Sequence, residues 1–316
     1  ETKVLQRAAV WGMVDALDEF STYVSPEKAE RITDHILGDH MGLGLELTVD
    51  NEGVFVVGPR PYSPAHKAKI LPGQRLLAVN DIPTANLTQE QVRRLLTKSE
   101  GKPVKLTLCD GPAGKNRVVK LTPATFPVET VQGLYRHRLS GQRQYHIQSG
   151  KSGKLAYVRV AEFCPDTAQQ LNNELRHMDT SRGLVLDLRD NPGGLLDDGV
   201  AVADLFLREG PIVHVLQRDK KRQTLNAHAD TPYANIPLVV LIDDRTTSAA
   251  EIVAGALSAN ARAVLLGQRT RGKGCVQTMI RLPGKLGQVN LTTAEFLLPP
   301  NQTIQRRKNS TRWGVD

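Results

Sequence analysis

The sequence predicts a multidomain chain of mixed α+β and α/β class. A helical N-terminal segment spans residues 1–38, a small β-rich domain is inserted at 39–125, and an α/β core fills 126–316. Three observations predict this. Apolar residues recur at helical spacing near the N-terminus, short β-rich runs divided by Gly and Pro follow, and after Pro127 buried strands alternate with helices. At 316 residues and 40% hydrophobic content the chain can build more than one core. Only 4% of residues are aromatic, so that core is made of Leu, Val, Ile and Ala, as suits buried sheets under helices.

Between Lys3 and Leu17 the apolar residues Val4, Leu5, Ala8, Val10, Trp11, Val14 and Leu17 follow a near-helical period, which reads as a packed helix. Ser25-Pro26-Glu27-Lys28 places Pro at the first helical position and an acid in the first turn, starting a second helix expected to run to about Leu37. From Gly42 short strands are expected at Leu43–Val49, Val54–Val57, Arg75–Val79, Val104–Cys109 and Arg117–Leu121. Helical stretches at Pro64–Ala68 and Thr88–Leu96 interrupt them. In the core, strands are expected at Leu155–Val160, Leu184–Leu188, Leu238–Ile242, Ala263–Leu266 and Gln288–Thr292. Helices should fill Asp166–Met178, Gly199–Phe206 and Ala249–Ala259.

The net charge of +8 and pI of 9.4 raise the question of nucleic acid. The densest basic clusters, Arg218-Asp219-Lys220-Lys221-Arg222 and Arg306-Arg307-Lys308, are short and not interleaved with stacking aromatics. They read as solvated surface rather than a nucleic-acid site, and leave room for peripheral attraction to an anionic membrane face. Cys109, Cys164 and Cys275 lack metal-type pairing and read as buried thiols, so neither a metal nor another cofactor is expected. The chain begins at Glu1 without Met and holds no apolar run of membrane-spanning length, compatible with an exported protein whose leader or anchor is removed.

Three segments carry chemistry. Residues Pro237–Leu257 read as a buried strand, a tight turn and a helix, with Ser248 at the turn beside the free N–H groups of the helix start. The same Ser248-x-x-Glu251 pattern is also a capping box, in which the serine only satisfies those N–H groups. The second segment, Gly267–Gln277, sets Lys273 between two glycines, so that the lysine can be packed closely against other backbone. Burial disfavours an ammonium, and a lysine must shed its proton before it can take one from serine. No histidine follows His228, and none lies near Ser248 in sequence. The third segment, Gly183–Leu196, is a buried strand ending in a Gly-rich turn whose N–H groups could supply one oxyanion donor, the other being the Ala249 N–H.

Taken in order, these segments resemble the carboxy-terminal processing, or tail-specific, serine peptidases. The resemblance covers nearly the whole chain. It rests on Asp18–Pro26, on Gly42-Leu-Gly-Leu-Glu-Leu47, on Ser63–Ala68 followed by Pro72-Gly73, on Asp187–Gly194, on Thr247–Glu251 and on Gly272-Lys-Gly274. It implies an α/β protease core with an inserted PDZ-like domain and a Ser248/Lys273 dyad. Gln277 would orient the lysine, and the amides of Gly194 (Gly193 remaining open) and Ala249 would form the oxyanion hole. The amides of Leu43, Gly44 and Leu45 would hold the C-terminal carboxylate of a substrate tail added as a strand beside Leu45–Val49. The implied partners are proteins or peptides with accessible C-terminal tails, the adaptor being unknown, and the implied location is extracytoplasmic: periplasm, cell envelope or organelle lumen.

Several positions depart from the family pattern. Arg271 stands where an aromatic is usual, Cys275 where a small polar residue is common, and Gln74 and Asn80-Asp81 replace the usual Gly-Asp and Asp-Gly of the PDZ-like module. The chain stops at Gly314-Val-Asp316, inside what is normally a continuing segment. The competing readings are a catalytically silent peptide-binding scaffold, against which the intact dyad argues, and a crotonase-like acyl-chemistry enzyme, which has no use for a tail-binding module.

Overall fold

The computed structural model describes residues 2–26, 28–29, 38–97, 101–111, 114–136, 143–148, 154–178, 182–229 and 231–316. They divide into two compact units, one of residues 1–37, 130–134 and 145–316, the other of 38–129 and 135–144.

In the larger unit, four parallel strands, Lys154–Val160, Leu184–Asp187, Leu238–Ile242 and Val264–Gly267, run side by side in one sheet, with Val264–Gly267 at its edge. Val131–Gln132 and His146–Gln148 pair antiparallel with the first of them. The strands are short runs of Val, Leu and Ile, which is what a sheet covered by helices requires. Helices Thr167–Leu175, Leu196–Asp204 and Ala249–Ala259 pack with it into one core that contains Leu186, Val240, Phe206 and Leu257. The helix expected at Gly199–Phe206 starts earlier, at Leu196, because Asp197 and Asp198 suit a first turn.

The segment expected as a strand of this layer at Gln288–Thr292 belongs elsewhere. It is the start of Gln288–Leu298, the axis of a separate antiparallel sheet with Thr22–Val24, Pro211–Gln217, Arg222–Asn226, Cys275–Arg281 and Gln302–Thr303. Asn290–Glu295 is only half buried, as one face of an antiparallel sheet can be. The N-terminal helix Thr2–Asp15 forms, but its apolar residues do not pack as expected. Val14 is buried, while Val4, Leu5, Trp11 and Met13 are exposed. Of the helix expected from Pro26 to Leu37, Lys28 and Ala29 bond back to the Ser25 carbonyl, and Glu27 and residues 30–37 lie outside the described residues. No helix among the described residues is long and apolar enough to cross a membrane.

The smaller unit is an antiparallel sheet in the order Leu45–Asp50, Gly53–Pro59, Arg75–Val79, Val104–Cys109, Asn116–Leu121, so Leu45–Asp50 is an edge strand. Helix Gln89–Thr97 lies along that edge, with Gln89 Nε2 donating to the Leu47 carbonyl at 3.2 Å. Buried Gln74 accepts the Leu71 N–H and donates to Asp110, and Asn80 and Asp81 turn the hairpin at φ 48° and 64°. The two departures from the family pattern therefore occupy structural turns.

Candidate active site

Strand Leu238–Ile242 ends in a turn that delivers Ser248 to the start of helix Ala249–Ala259. Buried Thr246 fastens that turn. Its hydroxyl donates to the Leu188 carbonyl at 2.9 Å and accepts the Asp243 N–H at 2.9 Å, while the Thr247 N–H donates to the Asn191 carbonyl at 2.9 Å. Burial alone would raise the Asp243 carboxyl, but donors from Asp190, Thr246 and Arg245 hold it below its usual range. Ser248 sits at φ 56°, ψ −117°, a conformation that costs a side-chain-bearing residue about 1–3 kcal/mol and persists only where its surroundings impose it.

Glu251, one turn into the helix, is fully buried. It stands in capping-box relation to Ser248, whose N–H its Oε2 accepts at 2.8 Å. The same carboxylate accepts the Lys273 N–H at 2.9 Å on Oε2, and the Gly272 N–H at 2.7 Å and the Thr270 hydroxyl at 2.6 Å on Oε1. Burial pushes this carboxyl up, and the four donors oppose the push. One carboxylate therefore ties the Ser248 turn to the Lys273 loop. Both glycines beside Lys273 lie against the segment Ile304–Arg306. A Cβ on Gly272, at φ 87°, would come within 2.8 Å of Arg306 Cβ, and one on Gly274 within 3.0 Å of the Gln305 nitrogen.

The Gly-rich turn after strand Leu184–Asp187 meets the serine from the other direction. A Cβ on Gly193 would stand 2.8 Å from Ser248 Cβ, and one on Gly194 would land on the Phe163 carbonyl oxygen. Fully buried Asn191 orders this turn by donating from Nδ2 to the Val160 carbonyl and accepting the Gly193 N–H, each at 2.8 Å. The Gly193 amide is thus spent. Among the described residues the N–H groups of Gly194 and Ala249 have no intramolecular acceptor.

Ser248, Ala249, Gly194, Lys273 and Gln277 line one cleft of about 540 Å³, walled by Leu196, Ile252, Met279 and Phe296. No histidine is in its lining. The Gln277 amide is not bonded to Lys273: Nε2 donates to Cys275 Sγ at 3.0 Å and to Thr292 Oγ1 at 3.5 Å. Cys275, also in the lining, is a buried free thiol pushed up by desolvation against the Gln277 bond and the Lys273 charge.

Sequence reasoning missed the bridging role of Glu251 and the turn-ordering role of Asn191. A signal for the first exists: Glu251 is the one charged residue in Ala249–Ala259, a helix apolar on every side. A carboxylate buried in such a helix needs donors from outside it.

In the smaller unit, Gly44 has φ 72°, its carbonyl accepts the Arg60 N–H at 2.8 Å, and a Cβ there would overlap the buried Ser63 side chain. Leu43 is buried with its carbonyl on the Ala65 N–H at 2.9 Å, and Leu45 begins the edge strand opposite Pro59.

The family model for peptidase family S41 matches residues 154–312, and a PDZ domain model matches residues 55–110. The carboxy-terminal-processing protease of Bartonella bacilliformis is 33% identical over 304 residues, covering 94% of this chain and 66% of that protein. The carboxyl-terminal-processing protease of Picosynechococcus sp. is 32% identical over 305 residues, covering 94% and 70%. The chain thus spans about two thirds of the length of these relatives. Among solved structures, the photosystem II D1 C-terminal processing protease is similar at a TM-score of 0.54 and 28% identity, covering 95% of this chain and 78% of that one. The chain belongs to peptidase family S41 and carries a PDZ domain.

Proposed function

We propose that the chain is a serine endopeptidase that cleaves protein substrates near their C-termini, with Ser248 as nucleophile and Lys273 as general base. The observation that carries this reading is the Glu251 carboxylate, which bonds the N–H of both residues and so fixes serine and lysine on one cleft. A cap partner alone would have no reason to reach the second loop.

In the reaction, the neutral Lys273 amine takes the Ser248 hydroxyl proton as Oγ attacks the scissile carbonyl. The oxyanion falls between the unspent N–H groups of Gly194 and Ala249, each such donor being worth about 3–4 kcal/mol in the transition state. Lys273 then protonates the leaving amine, the C-terminal fragment departs and an acyl-enzyme ester remains. Water attacks the ester, Lys273 takes its proton, and the proton returns to Ser248 as the new carboxylate leaves. Substrate side chains filling the apolar walls would expel water from the cleft. The Gln277 amide would steady the lysine after leaving Cys275, a weak acceptor that holds it loosely.

The edge strand Leu45–Asp50 supports capture of an extended tail by strand addition, with the carboxylate at Leu43, Gly44 and Leu45. Action outside the cytosol accords with the company of this family. The decisive test is cleavage of an unfolded protein with an apolar C-terminus by wild type, Ser248→Ala and Lys273→Ala. Cleavage by wild type alone is expected. Cleavage that survives both substitutions would refute the dyad, and none by wild type would favour a silent scaffold. Gly44→Ala should weaken binding of a tail peptide while an amidated peptide binds poorly to either form.

A further inference from the structure

A second cleft, of about 890 Å³, also has Lys273 in its lining, with Arg271, Arg306, Arg307 and Lys308 around it and Glu19 as the one carboxylate. Arg307 is paired with Glu295 at 3.0 Å. Among the described residues no carboxylate pairs with Arg271, Arg306 or Lys308. Exposed basic residues are ordinarily no more than a solvated face. Arg306 differs in being held in place. The Arg306 N–H donates to the Gly272 carbonyl at 2.8 Å, and its guanidinium stacks on Trp313 at 4.7 Å from the ring centre. The Gly314 N–H returns to the Ile304 carbonyl at 2.8 Å, closing the loop that carries the cations. The lack of a Cβ on Gly272 is what lets Arg306 approach the lysine loop.

Position says what would enter. Lys273 lines both clefts, so the substrate residues that would face the second are those two to four places from a scissile bond held at Ser248, at roughly 3.3 Å each. We propose that this cleft receives acidic side chains of the substrate close to the scissile bond, so that tails carrying Asp or Glu there are cleaved in preference to neutral ones. This rests on the peptidase reading above. It also gives Arg271 a use: the departure from the usual aromatic adds a cation to the cleft, outside the lining around Ser248.

The test uses peptides with one unchanged scissile pair, bearing two Asp, two Asn or two Lys at positions two to four on either side. Two readouts are taken: kcat/KM with wild type, and the anisotropy Kd of labelled peptides on Ser248→Ala protein, which needs no turnover. An exposed charge pair is worth up to about fivefold, so the acidic peptide should gain about tenfold over the neutral one. The gain should sit mainly in KM and Kd, and fade as salt is raised. The Arg306→Gln/Lys308→Gln variant should lose the gain yet cleave the neutral peptide as wild type does, and Arg271→Gln should lose part of it. Equal handling of acidic and neutral peptides by wild type, or a preference that survives these variants, would overturn the proposal. So would a finding that Arg306 and Lys308 govern sedimentation with phosphatidylglycerol vesicles while peptides go undiscriminated. A protein that cleaves nothing but still binds the acidic peptide about tenfold more tightly would fail the peptidase reading and leave the acidic cleft standing.

Discussion

Replacing Glu251 separates a helix cap from a bridge between the Ser248 turn and the Lys273 loop. In the variant Glu251→Gln the new side chain has one acceptor oxygen where the native carboxylate has two, against four donors. Its better orientation leaves the carbonyl on the Ser248 and Lys273 N–H groups and turns the NH₂ toward Thr270, whose hydroxyl can accept. The Gly272 N–H is then orphaned. A buried unsatisfied donor costs about 1–3 kcal/mol, and two bonds that lose their charge weaken by about 1 kcal/mol each. Relief of the carboxylate desolvation, the largest influence on this group, offsets part, leaving about 2 kcal/mol net. Glu251→Ala abandons all four donors and should cost about 4 kcal/mol or more. Since a displacement of the base by about 1 Å is worth about 100-fold, kcat should fall by that order in Glu251→Gln with KM little changed. Denaturant midpoints and steady-state kinetics on both variants measure this. A loss of about 1 kcal/mol or less with kcat intact is what a cap alone would show, and it would refute the bridge.

Other outcomes follow from the same geometry. Gly194→Ala places a methyl on the Phe163 carbonyl oxygen, so it should abolish turnover and lower the melting temperature, both readable on the purified protein. Asn191→Ala frees the Gly193 N–H from its acceptor and unties the turn from Val160; kcat should drop about tenfold or more with tail-peptide binding to the PDZ domain unchanged, since a weakened oxyanion donor acts only in the transition state. Asp187 is raised by burial but held below the usual carboxylate range overall by the Arg189 and Tyr157 donors. Its native carboxyl therefore binds a proton less readily than in the unfolded chain, so its contribution is complete above the unfolded value and is lost as pH falls through the folded one. Acid denaturation curves should show a shallower low-pH slope in Asp187→Asn, and an unchanged slope would contradict the assignment.

The parts legible in the sequence were those written in local pattern. Helix Ala249–Ala259 and strand Leu238–Ile242 have the expected bounds because an apolar run, a turn and a small-residue helix follow one another directly in sequence. The antiparallel sheet was not legible, although Pro211–Gln217 contains the run Ile-Val-His-Val-Leu. Its partners Arg222–Asn226 and Cys275–Arg281 are polar or half exposed, and what makes them strands is pairing across long sequence separations. The site divides in the same way. Ser248, Lys273 and the paired glycines announce themselves by residue type and neighbours, whereas the bonds from Glu251 to Thr270, Gly272 and Lys273 span 19 to 22 residues and appear only once the strand-to-helix turn at Ser248 and the strand-to-strand loop at Lys273 have been folded side by side.

Under the proposed function, capping and catalysis, which compete as readings of Ser248-x-x-Glu251, need each other in the folded chain. An N-cap with ordinary backbone angles would aim its side chain along the helix start; Ser248 at φ 56° cannot relax to them while the Thr247 N–H is held by Asn191 and the Ser248 N–H by Glu251. The strain at the serine is therefore sustained by the two residues that also set its surroundings, Asn191 by consuming the Gly193 amide and leaving that of Gly194, Glu251 by drawing in the lysine loop. A serine positioned in this way costs stability at the turn, and the cost is offset by hydrogen bonds made in a buried place where their loss would be expensive. The arrangement also explains why the helix opens Ala249-Ala250: bulkier side chains there would crowd the packed turn before either bond could form.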